Sequence, residues 1–291
     1  MITDFHTHTF PEKIAARAVA SLKAKSHTAA FSDGTAGGLL ATQGAAGIGL
    51  SVVLPVATTP EQPYHINDRA AEQNDRMCTW EDGLPAGILS FGAIHPAMDD
   101  AAAELRRIRR LGLRGIKIHP VYQGYEIDDP AYLRILDVCA QLGLIVVTHA
   151  GLDIGFPSEE QSLPGKIRRA VRSVDPEGKT LKLVAAHMGG WMAWDEVPEA
   201  LADTGVYLDT SFSTGAFVPG DDGYYEGKDT SMLDAEGFLT ICRAFGPERL
   251  LFGTDSPWSN AKESLEFLKV LPLAEAELAQ ILSGNALRLL S

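Results

Sequence analysis

The residues best suited to chemistry lie near the start of the chain, where His6 and His8 are separated by a single threonine. They end a short β-tolerant run that begins at Ile2, and Pro11 separates this run from a helical pattern. Side chains alternate along a strand, so both imidazoles project to one side, about 7 Å apart along the strand. Two imidazoles in this arrangement can converge on one metal ion. The plainer alternative is a solvated leading segment or the remainder of an expression tag, so the pair needs partners from elsewhere in the chain.

Other metal-ligand residue types follow strand-like runs in the same way. Four histidines come directly after apolar runs: His95, His119, His149 and His187. His65 lies in the loop after the second run, and Asp255 follows the eighth run. Only His27 is not near the end of such a run, although it also falls in the loop region after the first. Scattered structural histidines would not favour strand ends in this way, so the pattern predicts a shared site.

Eight apolar runs alternate with helical patterns along the chain. The first ends at the histidine pair, and the others cover 48–56, 86–94, 113–118, 144–148, 181–186, 206–208 and 249–253. Helical spacing predicts helices at 12–25, 39–46, 67–80, 99–111, 129–142, 162–174, 191–203, 234–245, 262–270 and 274–290. Apolar strands that alternate with helices indicate a parallel sheet covered on both faces.

We therefore predict an α/β fold, a (β/α)8 TIM barrel, in a single domain over residues 1–291. The rival fold is an open doubly wound sheet, which usually has a glycine-rich phosphate loop after its first strand. This chain has His-Thr-His and then Pro11 at that position. In a TIM barrel the active site lies at the carboxyl ends of the strands, so the strand-end histidines and Asp255 would meet at one rim.

Several short motifs in this order resemble the metal-dependent amidohydrolase superfamily. They are HTH at 6–8, IVVTHAG at 145–151, AAHMGG at 185–190, FGTDSPW at 252–258 and the closing SGNALRLL at 283–290. The branch that they resemble is the amidohydrolase 2 group, which includes aminocarboxymuconate semialdehyde decarboxylase and its relatives. Each motif alone is weak, whereas their order and spacing along the whole chain are specific.

The resemblance implies one divalent metal ion, most often zinc, held by His6, His8, His149 and Asp255. Three histidines and one carboxylate suit a catalytic zinc site with an open position better than a closed structural site. By resemblance, His187 contacts the reacting water or the substrate. Asp255 and His187 are therefore the predicted catalytic residues.

Lys117 precedes His119 by two residues on the same face of the fourth predicted strand. Some branches of the superfamily carry a carboxylated lysine on this strand that bridges two metal ions, and this alternative stays open. We favour a single metal ion, with Lys117 deeper in the barrel and paired with an inward-facing acid. The predicted substrate contacts are His119, Arg69 and Trp191, beneath a cover formed by the loop 210–231.

Three functions are consistent with these residues. The first is hydrolysis of a small lactone, ester or amide, because a bound divalent ion lowers the pKa of its water from 15.7 towards about 7. The second is non-oxidative decarboxylation of a small unsaturated or aromatic acid at the same site. The third is a barrel that only binds a metabolite. The ligand set does not separate the first two, and nothing in the sequence selects the substrate.

Composition excludes other classes of partner. The formal net charge of −13 argues against nucleic acid, because phosphate binding needs clustered basic residues. Three widely spaced cysteines, no CxxC motif and no signal peptide favour the cytoplasm. No apolar run approaches 18 residues, so no membrane partner is expected. A small-molecule substrate is the predicted partner, and a homodimer is left open.

Overall fold

The strands form a nearly closed parallel barrel. A computed structural model describes all residues 1–291. Its strands are β1 (Ile2–Thr7), β2 (Ile48–Val53), β3 (Cys78–Glu81), β4 (Leu84–Ser90), β5 (Gly92–Ala93), β6 (Gly115–Ile118), β7 (Ile145–Thr148), β8 (Leu183–Ala185), β9 (Tyr207–Asp209) and β10 (Leu250–Leu251). Hydrogen-bonded neighbours follow the orders β1-β2-β4-β3 and β10-β9-β8-β7-β6-β5, and every pair except β3 with β4 is parallel.

Two joints close these sheets into one barrel. Phe91 is the single residue between β4 and β5, and its amide donates to the carbonyl of Val53 at 2.9 Å. At the other joint the amide of Phe5 donates to the carbonyl of Phe252 at 2.8 Å, and Thr7 forms a parallel bridge with Ser256. Because β4 and β5 together occupy one position and β3 lies outside, eight parallel positions remain, as a TIM barrel requires.

Helices cover the outside of the barrel. They are α1 (Glu12–Ser26), α2 (Ala36–Ala45), α3 (Gln62–Met77), α4 (Ala101–Arg110), α5 (Pro120–Gln123), α6 (Pro130–Leu142), α7 (Pro164–Val174), α8 (Val197–Leu201), α9 (Ala235–Phe245), α10 (Ala261–Lys269), α11 (Glu275–Ala279) and α12 (Asn285–Leu290). None of them has both the length and the apolar composition needed to cross a lipid bilayer. The predicted α/β barrel is confirmed.

The apolar residues form two main clusters. One contains 39 buried residues, drawn from the helices and the strands beneath them. The other contains 13, among them Phe5, Leu50, Val147 and Leu251, and α12 packs its Leu289 against it. Burial of this kind contributes about 25 cal/mol per Å² of apolar surface. The core therefore holds the strand ends, and the side chains on them, in fixed positions.

The structure differs most from the predicted elements around β3 and around α8. The predicted helix 67–80 is shifted, because α3 begins at Gln62 and ends at Met77, and Trp80 lies in β3 instead. The hairpin of β3 and β4 turns at Asp82 and Gly83, which both have positive φ values, 50° and 78°. Asp-Gly favours such a turn, so the sequence held a signal for this hairpin. The predicted helix 191–203 is shortened to α8, after a 3-10 turn at Trp194–Glu196.

Candidate metal centre

Three predicted ligands converge at the carboxyl end of the barrel. Nε2 of His8 lies 3.2 Å from Nε2 of His6 and 3.0 Å from Oδ1 of Asp255. The distance from Nε2 of His6 to the same oxygen is 3.4 Å. His6 lies in β1 and His8 directly follows this strand, whereas Asp255 follows β10, where its amide donates to the carbonyl of His6 at 2.8 Å. We call these three residues the ligand cluster.

Hydrogen bonds fix the tautomer of both histidines. Nδ1 of His6 lies 2.8 Å from Oδ2 of Asp209, and Nδ1 of His8 lies 2.8 Å from the carbonyl oxygen of Leu54. Carboxylate and carbonyl oxygens only accept hydrogen bonds, so each Nδ1 carries the proton and each Nε2 presents a lone pair. Two lone pairs and a carboxylate oxygen thus face one another within 3.4 Å. This donor set fits a divalent cation, which would relieve their mutual repulsion.

The electrostatic environment keeps these groups in the protonation states that metal binding requires. Burial is the main reason that the pKa of His6 falls from 6.5 to about 4, so its imidazole is neutral at neutral pH. Oδ1 of Asp255 faces the Nε2 lone pairs of His6 and His8 rather than an N–H donor, so this carboxylate oxygen is left as a ligand atom. Neutral imidazoles and an ionised carboxylate are the forms that bind metal.

The fourth predicted ligand lies beside this cluster rather than within it. His149 groups with His119 and Asp153, and the ligand atoms of these three residues lie within 4.8 Å of one another. The rings of His149 and His119 are stacked, with centroids 4.2 Å apart, and Nε2 of His119 lies 3.5 Å from Oδ2 of Asp153. Nε2 of His149 faces the carbonyl of Leu152 at 3.0 Å, which leaves a lone pair on Nδ1. We call these three residues the adjacent cluster.

His187 lies between the two clusters. The centroid of its ring is 5.2 Å from that of His6 and 4.8 Å from that of His149. Its Nδ1 is 2.9 Å from the carbonyl oxygen of Ser211, so Nδ1 carries the proton and Nε2 is free to accept one. Burial lowers the pKa of His187. The imidazole is thus neutral and oriented.

Backbone strain is concentrated at this rim. His187, Met188, Phe212 and Asp255 have φ values of 57°, 53°, 43° and 66°. Non-glycine residues held in the left-handed region cost about 1–3 kcal/mol each and occur most often at functional sites. The strained backbone at this rim therefore sets the direction of the site side chains and lowers the stability of the fold.

Asp209 was not predicted from the sequence, yet it supports two site histidines. Its Oδ2 accepts from Nδ1 of His6, and its Oδ1 accepts from the amide of His187 at 3.0 Å and from the hydroxyl of Ser211. The carboxyl is fully buried, which alone would raise its pKa, but His6 and these hydrogen bonds hold it below its usual range. It ends β9, so the strand-end criterion that selected Asp255 would also have found it.

A second buried carboxylate, that of Asp4, joins the first strand to the segment that carries Asp255. Its oxygens accept from the amide of His6 at 3.1 Å, from Nε2 of Gln43 at 2.8 Å, and from the amide and hydroxyl of Thr254 at 3.0 and 2.6 Å. Thr254 immediately precedes Asp255. Asp4 therefore fixes the spacing between the two halves of the ligand cluster.

Lys117 differs from its predicted environment. It is buried, as expected for a residue deep in the barrel, but no carboxylate oxygen lies within 4.0 Å of its ammonium group, so the expected ion pair is absent. Its Nζ lies 3.3 Å from Nε2 of His6 instead. Burial lowers the pKa of Lys117 to about 8, which makes its neutral amine accessible near the site.

A cavity of about 700 Å³ opens above both clusters. The three predicted substrate contacts, His119, Arg69 and Trp191, all line it. Arg69 is exposed on α3 and has no carboxylate partner within 4.0 Å, whereas Trp191 is 7% exposed in the side wall. His65 also lines the cavity, from α3 rather than from the predicted loop, while His95 and His27 lie outside it. The volume of the cavity lies within the range of about 300–1,000 Å³ that is typical of small-molecule sites.

The predicted cover folds differently in detail. Within the loop 210–231, Phe212 lines the cavity, and Phe217 packs on Phe212 with ring centroids 6.0 Å apart. The middle of the loop lies against the end of α1, where the His27 ring stacks on Tyr224 and its Nδ1 lies 2.6 Å from Oδ2 of Asp222. The loop thus contributes an aromatic wall to the cavity.

Comparison with known proteins identifies the family. The family model described as amidohydrolase, of the amidohydrolase 2 group, matches residues 4–291. The chain belongs to the amidohydrolase family. This confirms the resemblance drawn from the sequence motifs.

Individual relatives add detail within this family. The chain is 26% identical over 251 residues to 2-amino-3-carboxymuconate-6-semialdehyde decarboxylase from Dictyostelium discoideum, a match that covers 79% of this chain and 68% of the relative. An uncharacterized TIM-barrel protein from Bordetella bronchiseptica superposes with a TM-score of 0.69 at 20% identity, over 99% of this chain and 98% of the other. A dihydroxybenzoic acid decarboxylase from Polaromonas sp. JS666, with bound manganese and the inhibitor 2-nitroresorcinol, superposes with a TM-score of 0.66 at 15% identity, over 99% of this chain and 96% of the other. The two structural matches show the shared fold.

Proposed function

We propose that this amidohydrolase-family protein is a metal-dependent, non-oxidative decarboxylase of a small aromatic or unsaturated carboxylic acid. The observation that carries the proposal is the ligand cluster, in which two imidazole lone pairs and the Asp255 carboxylate converge at the base of the cavity. The choice of reaction is supported by the Dictyostelium relative, which is named as a decarboxylase. Hydrolysis is the first of the functions expected from the sequence, whereas this relative favours the second, decarboxylation.

We assign the metal to His6, His8 and Asp255, with His149 as the fourth ligand. A bound divalent ion would supply positive charge that anchors an anionic substrate oxygen and stabilises charge as it develops. The histidine-rich donor set suits zinc, which we take as the first candidate, and manganese is the second because the Polaromonas decarboxylase binds it.

The protein's own side chains hold the substrate and move one proton. Decarboxylation breaks the bond between the carboxyl carbon and the substrate body, releases CO₂ and leaves an electron pair on carbon, which must take up a proton. We assign transfer of that proton to Nε2 of His187, whose lone pair first takes up a proton from solvent and then passes it to the carbon, because Nδ1 is committed to the carbonyl of Ser211. His119 and Trp191 contact the substrate body within the cavity, and Arg69 attracts an anionic group at its mouth.

The test has two parts. Metal analysis of the purified protein should show one divalent ion per chain, and His6→Ala should lose that ion while His65→Ala, an exposed histidine at the cavity mouth, keeps it. Incubation with a panel of aromatic and unsaturated acids should release CO₂ from at least one.

Product analysis distinguishes the alternatives. Turnover of lactones, esters or amides, without CO₂ release from any acid, would favour hydrolysis at the same residues. A full complement of metal with no turnover of either panel would favour a protein that only binds a metabolite.

A further inference from the structure

The backbone at His187 is strained just beyond the end of β8. His187 and Met188 are consecutive non-glycine residues with φ values of 57° and 53°, in a tight turn that covers His187–Gly189. Such conformations persist only where the surrounding structure holds them in place. Because we assign proton transfer to His187, the contacts that hold this turn also set the position of its imidazole.

The segment that ends β9 holds the amide and the ring of His187. The amide donates to Oδ1 of Asp209 at 3.0 Å, and Nδ1 donates to the carbonyl of Ser211 at 2.9 Å. Neither contact involves the carbonyl group of His187, which sets the direction of the chain into Met188. The carbonyl end of the strained residue therefore needs a partner of its own.

Trp194 supplies that partner. Its indole Nε1 donates to the carbonyl oxygen of His187 at 3.0 Å. The other donor to this oxygen is the amide of Gly190 at 3.3 Å, which closes the turn itself. The indole of Trp194 is thus the donor from outside the turn that fixes the carbonyl of His187.

Trp194 is anchored away from the cavity. It begins a 3-10 turn that leads into α8, and its side chain is partly buried against the larger apolar cluster. It lines a separate surface pocket and not the large cavity. Its links to residues that line the cavity are the hydrogen bond to His187 and ring packing against Trp191, with centroids 6.5 Å apart. An effect of Trp194 on the reaction would therefore pass through one of these two residues.

We propose that Trp194 is a positioning residue for His187: its indole N–H holds the His187 carbonyl and so keeps Nε2 of that imidazole directed at the cavity. His187 lines the cavity, and a small displacement of a catalytic group is enough to slow a reaction. This inference rests on the proposed function for the role of His187, and it adds a residue outside the cavity on which that role depends.

Two substitutions separate the hydrogen bond from the packing of the indole. Trp194→Phe keeps an aromatic ring against Trp191 and removes the donor. Trp194→His removes the six-membered ring and keeps a donor, because the five-membered rings of the two side chains are attached alike and Nε2 of histidine takes the place of Nε1. Trp80→Phe, which changes a tryptophan that is 42% exposed in β3, is the control.

The first readout is turnover by the zinc-loaded protein of the acid in the panel that releases CO₂ fastest. Trp194→Phe should lower kcat about tenfold and leave KM within twofold, since the lost hydrogen bond orients a catalytic group and does not bind substrate. Trp194→His should keep kcat within threefold of the wild type. Trp80→Phe should leave both constants unchanged.

The second readout needs no substrate. The Nδ1 proton of His187 gives an NMR signal, and its exchange with solvent reports how firmly the imidazole is held. In the zinc-loaded protein Trp194→Phe should speed this exchange about tenfold, whereas Trp194→His and Trp80→Phe should leave it within twofold. The Tm of each variant, measured alongside, distinguishes local release of the imidazole from a loss of global stability.

The outcomes separate this inference from the proposed function. If Trp194→Phe keeps wild-type kcat and exchange, or if Trp194→His loses as much as Trp194→Phe, the indole acts through packing, and the inference is wrong while the decarboxylase proposal stands. Failure of both variants to fold would likewise assign Trp194 to stability and contradict the inference. If no acid releases CO₂, the proposed function fails, and the exchange measurement still decides whether Trp194 holds His187.

Discussion

At the scale of single residues, the candidate site is set by which nitrogen of each imidazole carries the proton. Acceptor oxygens of Asp209, Leu54, Leu152 and Ser211 each hold one N–H of a site histidine. The other nitrogen of each ring is left as a lone pair. The histidines are therefore oriented as metal ligands or bases by groups that are not themselves proposed as metal ligands.

Asp209 offers the clearest test of this arrangement. In Asp209→Asn the His6 imidazole loses a charged acceptor, and we expect affinity for Zn²⁺ to fall about 10–100-fold, the usual effect of removing a hydrogen bond to a metal ligand. Competition with a chromogenic chelator measures the affinity. Asp128→Asn, which removes a surface partner of Arg169, is the matched control and should bind Zn²⁺ as the wild type does. Equal affinity in the two variants would contradict the role of Asp209.

Burial of His6 also predicts how stability depends on pH in the metal-free protein. The pKa of His6 is about 4 in the folded state and 6.5 in the unfolded chain, so between these values the unfolded state binds more protons. The contribution of His6 to the free energy of unfolding must then rise with pH across this window and fall on acidification, opposite in sign to that of the buried Asp4, whose pKa is raised to about 7. Full protonation would remove roughly 3 kcal/mol.

Urea unfolding of the metal-free protein at pH 4.5, 5.5 and 6.5 measures this slope. The slope in His6→Asn should be smaller than in the wild type, because the titrating group is gone. His65→Asn, which changes an exposed histidine, should keep the wild-type slope. An unchanged slope in His6→Asn would show that burial of this imidazole does not govern the acid response.

The sequence predicted part of this site and missed the rest for a physical reason. His6 and His8 share one face of a strand, and Asp255 follows the last strand, so the periodicity of strands was enough to bring them together. His149 stands apart from them because the backbone beyond β7 turns its ring towards His119, and strand periodicity does not extend into that loop. The role of each residue in metal binding stays a prediction.

At the scale of elements, apolar runs and their alternation with helices were sufficient to predict the barrel. The hairpin of β3 and β4 was missed because the helical pattern was extended to Trp80, beyond the last residue of α3. Local turn chemistry decides that boundary, since Asp82 and Gly83 adopt the positive φ values of a tight hairpin. A pattern of hydrophobicity does not carry that information.

One glycine shows how closely two elements approach at the site. Gly151 has a φ of 89°, and a Cβ atom there would lie 2.1 Å from the backbone nitrogen of Trp191. We expect Gly151→Ala to displace the loop that carries Trp191 and to lower the free energy of unfolding by more than 2 kcal/mol, since strain and steric overlap add. Gly165→Ala, in the first turn of α7 with no atom within 4 Å of the new Cβ, should be neutral or slightly stabilising. Equal stability of both variants in urea would show that the loop accommodates the methyl group.

At the scale of the whole molecule, the cavity combines a polar base with an apolar and aromatic wall. Its acidic residues are Asp153 and Asp255, at the base, whereas Lys13 and Arg69 line it without a carboxylate partner within 4.0 Å. In a chain with a net charge of −13, such a cavity favours an anionic ligand over a cationic one. The sequence alone could not predict the shape of this cavity, because it depends on how the loops after β7, β8 and β9 pack on one another.

Metal binding should stabilise the entire barrel, since its proposed ligands join β1 to the segment after β10. A ligand present at 100 times its dissociation constant adds about 2.7 kcal/mol to the free energy of unfolding. We expect removal of the metal with a chelator to lower the Tm by several degrees and re-addition of Zn²⁺ to restore it. Calorimetry of the wild type, His6→Ala and His65→Ala tests this, and only His6→Ala should lose the response. A Tm that is independent of metal in the wild type would contradict the assignment.

The link between Asp4 and Thr254 joins residues that are 250 positions apart in the chain. During synthesis on the ribosome His6 and His8 are made long before Asp255, which follows nearly all the intervening units. The metal ligands that we propose are therefore complete only after the last strand has been made, and under this assignment capture of the ion is a late event in biogenesis.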